Sequence, residues 1–381
     1  MNSFFKEILA IKNVISFNLL NKRKRQITFY SEGKNYWPHI KGLLKNTLEK
    51  TDFSVCYVSS SLDDPGIDIK HPNLKTFYIG MFNVRNYFFE NVETDMMIMT
   101  MPDLHNYQIK RSSHKVHYVY VQHSLVSLHY IYRHGAFDHY DTICAAGTHH
   151  VNEIRALEKK YQLPKKNIFE LGYSRLDYLY KTVKQNLINI TEKKTKNKTL
   201  LIAPSWGSKG LIESGLCKKL VDRLIDLGHV VILRPHPQTL KLQEKKVHEI
   251  TNQYRWNKNF FFENNVAGER SFFNSDIMIS DWSGVALEFA LSFNKPVIFC
   301  EIPKKINNPN YAEINIEPIE VIIREEIGLI WDGITPIENM IKKCNLKIKS
   351  RDELEILRKK VCFNIGLSDD MFVKFLIKKL H

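Results

Sequence analysis

The chain has 381 residues, of which 44% are hydrophobic and 25% are charged. These values are ordinary for a folded chain of two domains, and they exclude a disordered protein and a small scaffold held by disulfides or structural metals. The net charge of +14 suits anionic partners such as acidic lipid or phosphate-bearing substrates. Because the basic residues are dispersed and no nucleic-acid-reading motif is present, we expect no nucleic acid as a partner.

The N-terminus carries apolar residues at helical spacing from Phe4 to Leu20, followed at once by the basic run Lys22–Arg25. A secretory signal has the opposite order, with its basic residues first. Two interpretations stay open: an amphipathic helix lying on an anionic membrane surface, or a helix packed on the first domain. No apolar run is long enough to span a bilayer. With six cysteines and no C-x-x-C pair, the chain is expected to be cytoplasmic, at most peripheral on the inner face of the cell membrane.

From Gln26 onward, predicted strands alternate with predicted helices, which indicates a mostly parallel sheet covered on both faces. The pattern is interrupted by the Lys/Asn/Thr-rich stretch Lys181–Lys198, the predicted linker, and then restarts. The predicted strands before the linker are Ile27–Tyr30, Phe53–Val58, Thr76–Ile79, Met96–Thr100, His117–Val121 and Thr142–Ala146. Those after it are Leu200–Ala203, Val230–Leu233, Phe260–Phe262, Asp276–Ile279 and Pro296–Phe299.

The fold class expected from this alternation is α/β, with two Rossmann-like domains facing a cleft. Residues 1–180 are predicted to form the N-terminal domain, which begins with the predicted amphipathic helix. Residues 199–381 are predicted to form the C-terminal domain, including the terminal helices, the last of which begins near Ser368.

Ligands of open α/β sheets bind beyond the C-terminal ends of the strands, so the residues that follow each strand are the candidates. His123 follows the strand His117–Val121 and is placed to act as a general base; the alternative is a histidine that only bonds a neighbouring loop. Farther along, Gly172 permits a tight turn, and Arg175 and Asp177 could pair to stiffen the domain edge. For this segment a structural role is favoured.

The segment Arg234-Pro235-His236-Pro237 follows the strand Val230–Leu233. Two prolines restrict the backbone on both sides of His236, which holds its ring in place. The guanidinium of Arg234 suits phosphate or carboxylate. A histidine and an arginine held rigidly at a strand end favour a functional role.

The segment from Ser280 to Glu288 reads as a strand end, a turn containing Asp281 and Ser283, and a helix that starts near Gly284. Exposed N–H groups at a helix N-terminus form an anion site, and Ser283 can add a hydroxyl donor. Glu288, one turn into the helix, could accept hydrogen bonds from ribose hydroxyls. The alternative is plain capping by Asp281 and Ser283.

Two lesser candidates remain. Ser205 follows the first strand of the second domain and is placed to form the floor of a nucleotide site. His149, His150 and Glu153 have the spacing of metal ligands, although an exposed helix start is favoured for them. No metal site is therefore predicted, and no cofactor is required, although a divalent cation on the substrate stays open. No P-loop, G-x-S-x-G, H-E-x-x-H or Asp-x-Asp motif is present.

Taken together, these loops resemble the CDP-glycerol glycerophosphotransferase family of teichoic-acid and capsule synthesis, a group of the GT-B type. The family's Arg-Pro-His-Pro matches Arg234–Pro237 fully, and its Trp-His-Gly is similar to Gln122-His123-Ser124. Its Gly-x-Pro-Arg-x-Asp is similar to Gly172–Asp177, and its Ser-Asp-Tyr-Ser-Ser to Ser280–Gly284. A Lys-Pro pair before a strand is present at Lys295-Pro296.

The resemblance implies that His123 deprotonates an acceptor hydroxyl and that His236 binds or protonates near the donor diphosphate. Ser283 with the helix end would hold phosphate, with Arg234 nearby. By the same resemblance, residues 1–180 would be the acceptor domain and residues 199–381 the nucleotide-donor domain. The reaction would be attack on the β-phosphorus of a CDP-activated polyol such as CDP-glycerol, with release of CMP and extension of a polysaccharide or lipid-linked acceptor.

Two departures from the family pattern leave the donor open. Ser124 replaces a glycine beside the predicted base, and Gly284 replaces the second serine of the helix start. A GT-B glycosyltransferase that takes a nucleotide sugar in capsule or lipopolysaccharide synthesis would use the same scaffold, and is the alternative function.

Overall fold

The computed structural model describes residues 3–107, 109–186, 197–265 and 267–380. They form two parallel β-sheets, one of seven strands and one of six, with helices on the faces of each. No helix of the described residues is long and apolar enough to cross a membrane.

The first sheet has the strand order β3-β2-β1-β4-β5-β6-β7, and every neighbouring pair is parallel. Its strands are β1 Ile27–Ser31, β2 Val55–Ser59, β3 Leu74–Tyr78, β4 Met96–Met99, β5 His117–Val121, β6 Thr142–Ala145 and β7 Asn167–Glu170. Its helices are α1 Ser3–Asn18, α2 Trp37–Lys50, α3 Asn83–Asn91, α4 Leu128–Ile131, α5 Thr148–Tyr161 and α6 Ser174–Asn186. The central strands are apolar on both faces because helices cover both sides.

The second sheet has the order β10-β9-β8-β11-β12-β13 and is again parallel throughout. Its strands are β8 Thr199–Ile202, β9 Val230–Leu233, β10 Phe260–Phe262, β11 Ile277–Ser280, β12 Val297–Cys300 and β13 Gly328–Trp331. Its helices are α7 Leu216–Asp226, α8 Pro237–Leu242, α9 Glu244–Tyr254, α10 Arg270–Asn274, α11 Gly284–Phe293, α12 Ile319–Ile322, α13 Arg324–Ile327, α14 Ile337–Lys343 and α15 Arg351–Val361.

In both sheets the chain first winds outward in one direction and then returns to continue on the other side of the first strand. This is the doubly wound order, and it opens a crevice at the carboxyl ends of the strands where the direction reverses. The predicted pair of Rossmann-like sheets is confirmed. Both crevices contribute to the cleft described below.

The final helix, α16 (Ser368–Leu380), returns to the first sheet. Phe372, Phe375 and Leu376 are buried in the same core as the first strand and helix α2, so α16 does not belong to the second domain as expected. Helix α6 crosses in the other direction and packs on helix α11 of the second domain. Each domain therefore packs against a helix from the other part of the chain, and we call this region of helices α6 and α16 the crossing.

The predicted strands agree with the observed ones to within two residues. Strands β7 and β13 were not predicted because β7 begins and ends with a polar residue, and β13 is a four-residue apolar run that sequence alone does not distinguish from part of a helix. Of the predicted linker, Lys181–Asn186 continue helix α6, and residues 187–196 lie outside the described residues.

Candidate active site in the interdomain cleft

A cleft of about 810 Å³ separates the two sheets, and both contribute loops to its walls. The first domain supplies the loops after β1, β4 and β5, and the second supplies those after β8, β9, β11 and β12. Of the residues predicted from the sequence, the structure brings these together in the cleft: His123, Arg175, Ser205, Arg234, His236, Ser283, Gly284 and Glu288.

His123 lies on the first-domain wall, directly after strand β5, between two tyrosines. Its Nδ1 lies 3.3 Å from the hydroxyl of Tyr120 and its Nε2 lies 3.3 Å from the hydroxyl of Tyr132. Burial lowers the pKa of His123 to about 4. The ring is therefore neutral at neutral pH and can accept a proton, which is the state that a general base requires.

His236 lies on the opposite wall, where it is the N-cap of helix α8 with Pro237 as the first helical residue. Its Nδ1 accepts a hydrogen bond of 3.1 Å from the backbone N–H of Gln238. Burial, then the nearby charges of Lys305 and His123, lower the pKa of His236 to about 3. A neutral ring that accepts at Nδ1 carries its proton on Nε2, so His236 is a neutral N–H donor.

Arg234 lies just before His236 on the same loop and is 4% exposed. Its Nη1 donates to Ser271 Oγ at 3.1 Å, and its guanidinium lies 4.7 Å from the centre of the Phe272 ring. Burial lowers the pKa of Arg234 to about 10, which leaves it charged at neutral pH. The side chain borders the cleft as a fixed positive charge.

Helix α11 begins at the cleft. Ser283 is its N-cap, but the Ser283 side chain makes no capping hydrogen bond, so its hydroxyl remains available. Gly284 is the first helical residue, and a Cβ there would lie 2.3 Å from Ser124 Oγ of the first domain. The two domains touch at this point because residue 284 has no side chain.

Ser280 and Asp281 lie beneath the cleft and do not line it. Ser280 Oγ donates to the carbonyl of Ala203 at 2.7 Å, and Asp281 Oδ1 accepts from the backbone N–H of Ser205 at 2.7 Å. Burial raises the pKa of Asp281, an effect that the hydrogen bonds from Ser205 oppose. Both residues hold the loop after β8 against the loop after β11, and only Ser205 reaches the cleft.

Arg175 pairs with Glu288 and not with Asp177, which corrects the sequence-based expectation. Arg175 Nε donates to Glu288 Oε2 at 2.8 Å, and the hydroxyl of Tyr173 donates to Glu288 Oε1 at 2.8 Å. Both charged side chains are almost fully buried. The pair joins the start of helix α6 to helix α11, and Arg175 belongs to the cleft wall.

Gly172 and Asp177 lie at the crossing between the domains, away from the cleft. Gly172 has φ +95°, and a Cβ there would lie 2.3 Å from the carbonyl oxygen of Phe363. The carboxylate of Asp177 accepts from the backbone N–H groups of Gly366 at 2.7 Å and Ser368 at 2.6 Å, which anchors helix α16. Both residues have structural roles, as favoured from the sequence.

His150 and Glu153 are buried and His149 is half-buried, so the three are not at an exposed helix start as expected. His149 and His150 place Nε2 at 2.9 Å from the carbonyls of Leu125 and Val126, in the loop that follows His123. Across the described part of the chain, no group of three His, Cys, Asp or Glu side chains could hold a metal ion. The histidines support the loop that carries the candidate base.

Several cleft residues were missed. Tyr132 and Lys305 lie well beyond the ends of strands β5 and β12, where the strand-end rule applied above singles out no residue. Each of these residues stands alone outside any motif, so no sequence pattern marks it as a candidate. The missed residues of most interest are Tyr36, His39, Tyr132, Trp206 and Lys305.

Comparisons with solved structures show the GT-B fold. The wall teichoic acid polymerase TagF, in a structure soaked with CDPG, shares 13% identity at a TM-score of 0.53, covering 99% of this chain and 97% of that one. A UDP-GlcNAc 2-epimerase of Methanocaldococcus jannaschii shares 12% identity at a TM-score of 0.55, covering 93% and 99%. The S. aureus MnaA–UDP structure shares 14% identity at a TM-score of 0.57, covering 93% and 97%.

No curated protein matches the chain in sequence. The model of the family described as CDP-glycerol:poly(glycerophosphate) glycerophosphotransferase matches residues 19–306, which is most of the chain and includes both walls of the cleft. The chain therefore belongs to this family and is a transferase enzyme that uses CDP-glycerol as donor.

Proposed function

We propose that the cleft catalyses attack by a hydroxyl of a growing surface polymer, of the teichoic-acid type, on the β-phosphorus of CDP-glycerol. The acceptor oxygen forms a new bond to that phosphorus while the bond to the bridging oxygen of CMP breaks. The hydroxyl proton passes to the protein, and CMP leaves as the product. The protein contributes mainly positioning and charge stabilisation to such a transfer.

The observation that carries this proposal is the pairing of two neutral histidines on opposite walls of one cleft. His123, on the first domain, is neutral and therefore able to accept the hydroxyl proton. His236, on the second domain, presents Nε2–H as a donor to the phosphate oxygens. The hydroxyl of Ser283 and the N-terminus of helix α11 add further donors on the same side.

The remaining predicted residues have supporting roles in this proposal. Arg234 supplies a fixed positive charge near the diphosphate. Glu288 already accepts hydrogen bonds from Arg175 and Tyr173, and each carboxylate oxygen retains a second lone pair for a ribose hydroxyl. The backbone at Ser205 is held by Asp281 at the floor of the donor site.

The test is release of CMP from CDP-glycerol with a glycerol-phosphate oligomer as acceptor. His123→Ala is expected to lower kcat about 10²- to 10⁴-fold because general-base catalysis contributes that much. His236→Ala is expected to lower it about 10²- to 10³-fold through the lost donor. His248→Ala, an exposed histidine on helix α9, is the matched control and should keep full activity.

Unchanged turnover in both cleft variants would refute the assigned roles. UDP- and CMP-linked sugars are assayed in parallel, and turnover of one of these in place of CDP-glycerol would establish the glycosyltransferase alternative. The same assay with and without EDTA decides whether the donor needs a divalent cation.

We further propose that helix α1 holds the enzyme on an anionic membrane surface, where lipid-linked acceptors are found. One face of α1 is packed on the first domain through Val14 and Phe17. For that face, the predicted alternative of a helix packed on the first domain applies. A second face is apolar and exposed: Phe4 is 65% exposed and Ile15 is 54% exposed. The exposed basic residues Lys22, Arg23 and Lys24 follow it. An exposed apolar face beside clustered lysine and arginine fits the headgroup region of acidic lipid. The other apolar residues of this face are Phe5, Ile8 and Ile11.

Co-sedimentation with vesicles of phosphatidylglycerol and phosphatidylcholine tests this surface. Ile8→Glu with Ile15→Glu should abolish binding, and Ile356→Glu, at an exposed isoleucine on helix α15, is the control that should bind as the wild type does. Binding that is equal in all variants, or equal on pure phosphatidylcholine, would contradict the proposal.

A further inference from the structure

Lys305 lies in the cleft on the loop after β12, beside two residues from other strand ends. Its ammonium lies 4.5 Å from the centre of the Trp206 ring, and that ring is centred 6.0 Å from the ring of His236. The three side chains come from the loops after β12, β8 and β9, which are brought together by the strand order of the second sheet. They form one wall of the donor side of the cleft.

The ammonium of Lys305 makes no ion pair and no hydrogen bond with the described residues, in contrast to Lys304, which lies 3.4 Å from Glu317. Asp281, Glu213 and Glu320 act on Lys305 only through space. Burial is the larger influence and lowers the pKa of Lys305 to about 8. A half-buried cation whose direct contact is an aromatic ring, with no anion or hydrogen-bond acceptor among the described residues, is costly unless a ligand supplies one.

The loop that carries Lys305 is fixed in place by the first domain. The backbone N–H of Asn307 donates to the carbonyl of Tyr130 at 2.9 Å, and its side chain donates to Ile131 at 3.1 Å. Asn308 donates from its side chain to the carbonyl of His129 at 2.8 Å. The ammonium is therefore held in the cleft by contacts on both sides and is not a mobile surface lysine.

The neighbouring histidine cannot supply this charge. Nδ1 of His236 is occupied by the backbone N–H of Gln238, and the proximity of Lys305 itself opposes protonation of the ring. A diphosphate bound here would contact the neutral N–H donor of His236 on one side and the positive charge of Lys305 on the other. The charge and the hydrogen bond are thus divided between two residues.

We infer that Lys305 binds the diphosphate of the donor and supplies, in addition to Arg234, a positive charge that phosphate binding in this cleft requires. The inference rests on the proposed function of the cleft and adds a residue to it. In this arrangement Trp206 holds the lysine stem and ammonium in position, as aromatic rings do for cations. Lysine in this role acts as a point charge beside the phosphate, which stabilises the negative charge that the leaving CMP gains.

Calorimetric titration with CDP, CMP and cytidine tests the inference on the full chain. Lys305→Met should bind CDP roughly 10- to 100-fold more weakly than the wild type, because a hydrogen bond to a charged group is lost, while cytidine binding is unchanged. Lys304→Met, the adjacent and more exposed lysine, is the matched control and should bind all three as the wild type does.

Equal CDP affinity in Lys305→Met and wild type would overturn the inference, and so would an equal loss for cytidine, which would mark a structural role. Failure of the proposed function looks different: wild type would bind CDP but release no CMP from CDP-glycerol.

The pH profile gives a second readout that does not depend on Lys305→Met folding well. The groups that face the ammonium are Asp281, Glu213, Glu320 and His236. As pH rises through about 8, Lys305 loses its proton, and kcat/KM for CDP-glycerol should fall. Lys305→Arg keeps its charge and should move this alkaline limb upward; an unmoved limb would contradict the assignment.

Discussion

The contact between Gly284 and Ser124 permits a sharp test of how the two domains form the cleft. A Cβ added at residue 284 would lie 2.3 Å from Ser124 Oγ and 3.1 Å from Val126 Cγ1. The first distance is well inside van der Waals contact, so Gly284→Ala must displace the Ser124 side chain or separate the domains. Gly284 does not have a positive φ, so the backbone accepts alanine without strain and the effect comes from the contact alone.

Gly284→Ala is expected to raise the free energy of bringing the two domains together by about 1 to 2 kcal/mol, in the lower part of the range for overpacking. The value is low because the Ser124 hydroxyl can rotate away, and it is not zero because Val126 cannot retreat as easily. This corresponds to roughly a 5- to 30-fold fall in kcat/KM for CDP-glycerol. Ser124→Gly removes the obstructing hydroxyl and should cost only about 2- to 3-fold by itself.

The double variant Ser124→Gly with Gly284→Ala should recover most of the way to the level of Ser124→Gly alone, because the contact with the Ser124 hydroxyl is gone and only the 3.1 Å approach to Val126 Cγ1 remains. Activities are measured as CMP release and combined in a double-mutant cycle, with thermal melting as the check on folding. Losses that simply multiply in the double variant would refute the reasoning, since residues that do not touch behave in that way.

Three further outcomes are expected. Because the pKa of His123 is lowered to about 4, kcat/KM should stay level as pH falls from 7 to 6 and decline only toward pH 4; an acid limb near pH 6.5 would contradict the assignment of this base. Glu288→Gln should lower the free energy of unfolding by about 3 kcal/mol in urea titrations, because Arg175 then remains as a buried unpaired charge; a loss below 1 kcal/mol would contradict a dominant ion pair. Asp177→Ala should release helix α16 and expose it to limited proteolysis, whereas an unchanged cleavage pattern would show that apolar packing alone retains it.

The strand pattern predicted the two sheets because parallel strands covered on both faces are apolar throughout, as in His117–Val121 and Val230–Leu233. The edge strand β7 lacks this continuous apolar character, and β13 is a four-residue apolar run that sequence alone does not distinguish from part of a helix, so neither was predicted. Helix α16 was recognised as a helix, but its partner was not, because an apolar face does not specify which of two sheets it covers.

The sequence predicted those residues of the candidate site that lie just after the end of a strand. His123 and His236 follow strands directly, and the wall each belongs to follows from its domain. The partner of Arg175 could not be predicted, because Asp177 is near in sequence while Glu288 is near only after helices α6 and α11 pack together. Lys305 lies in a long segment without helix or strand, where sequence patterns fix no side-chain direction.

The return of helix α16 to the first sheet has a consequence for synthesis of the protein. Phe372, Phe375 and Leu376 complete a core whose other members precede them by about 200 residues or more, so the N-terminal domain cannot bury that surface while it emerges from the ribosome. Helix α2 ends at Lys50, about 320 residues before Phe372, so at translation rates of about 5 to 20 residues per second its apolar face stays uncovered for roughly 15 to 65 seconds. A nascent chain in that state is a substrate for chaperones, and the domain that begins the chain is the last to become complete.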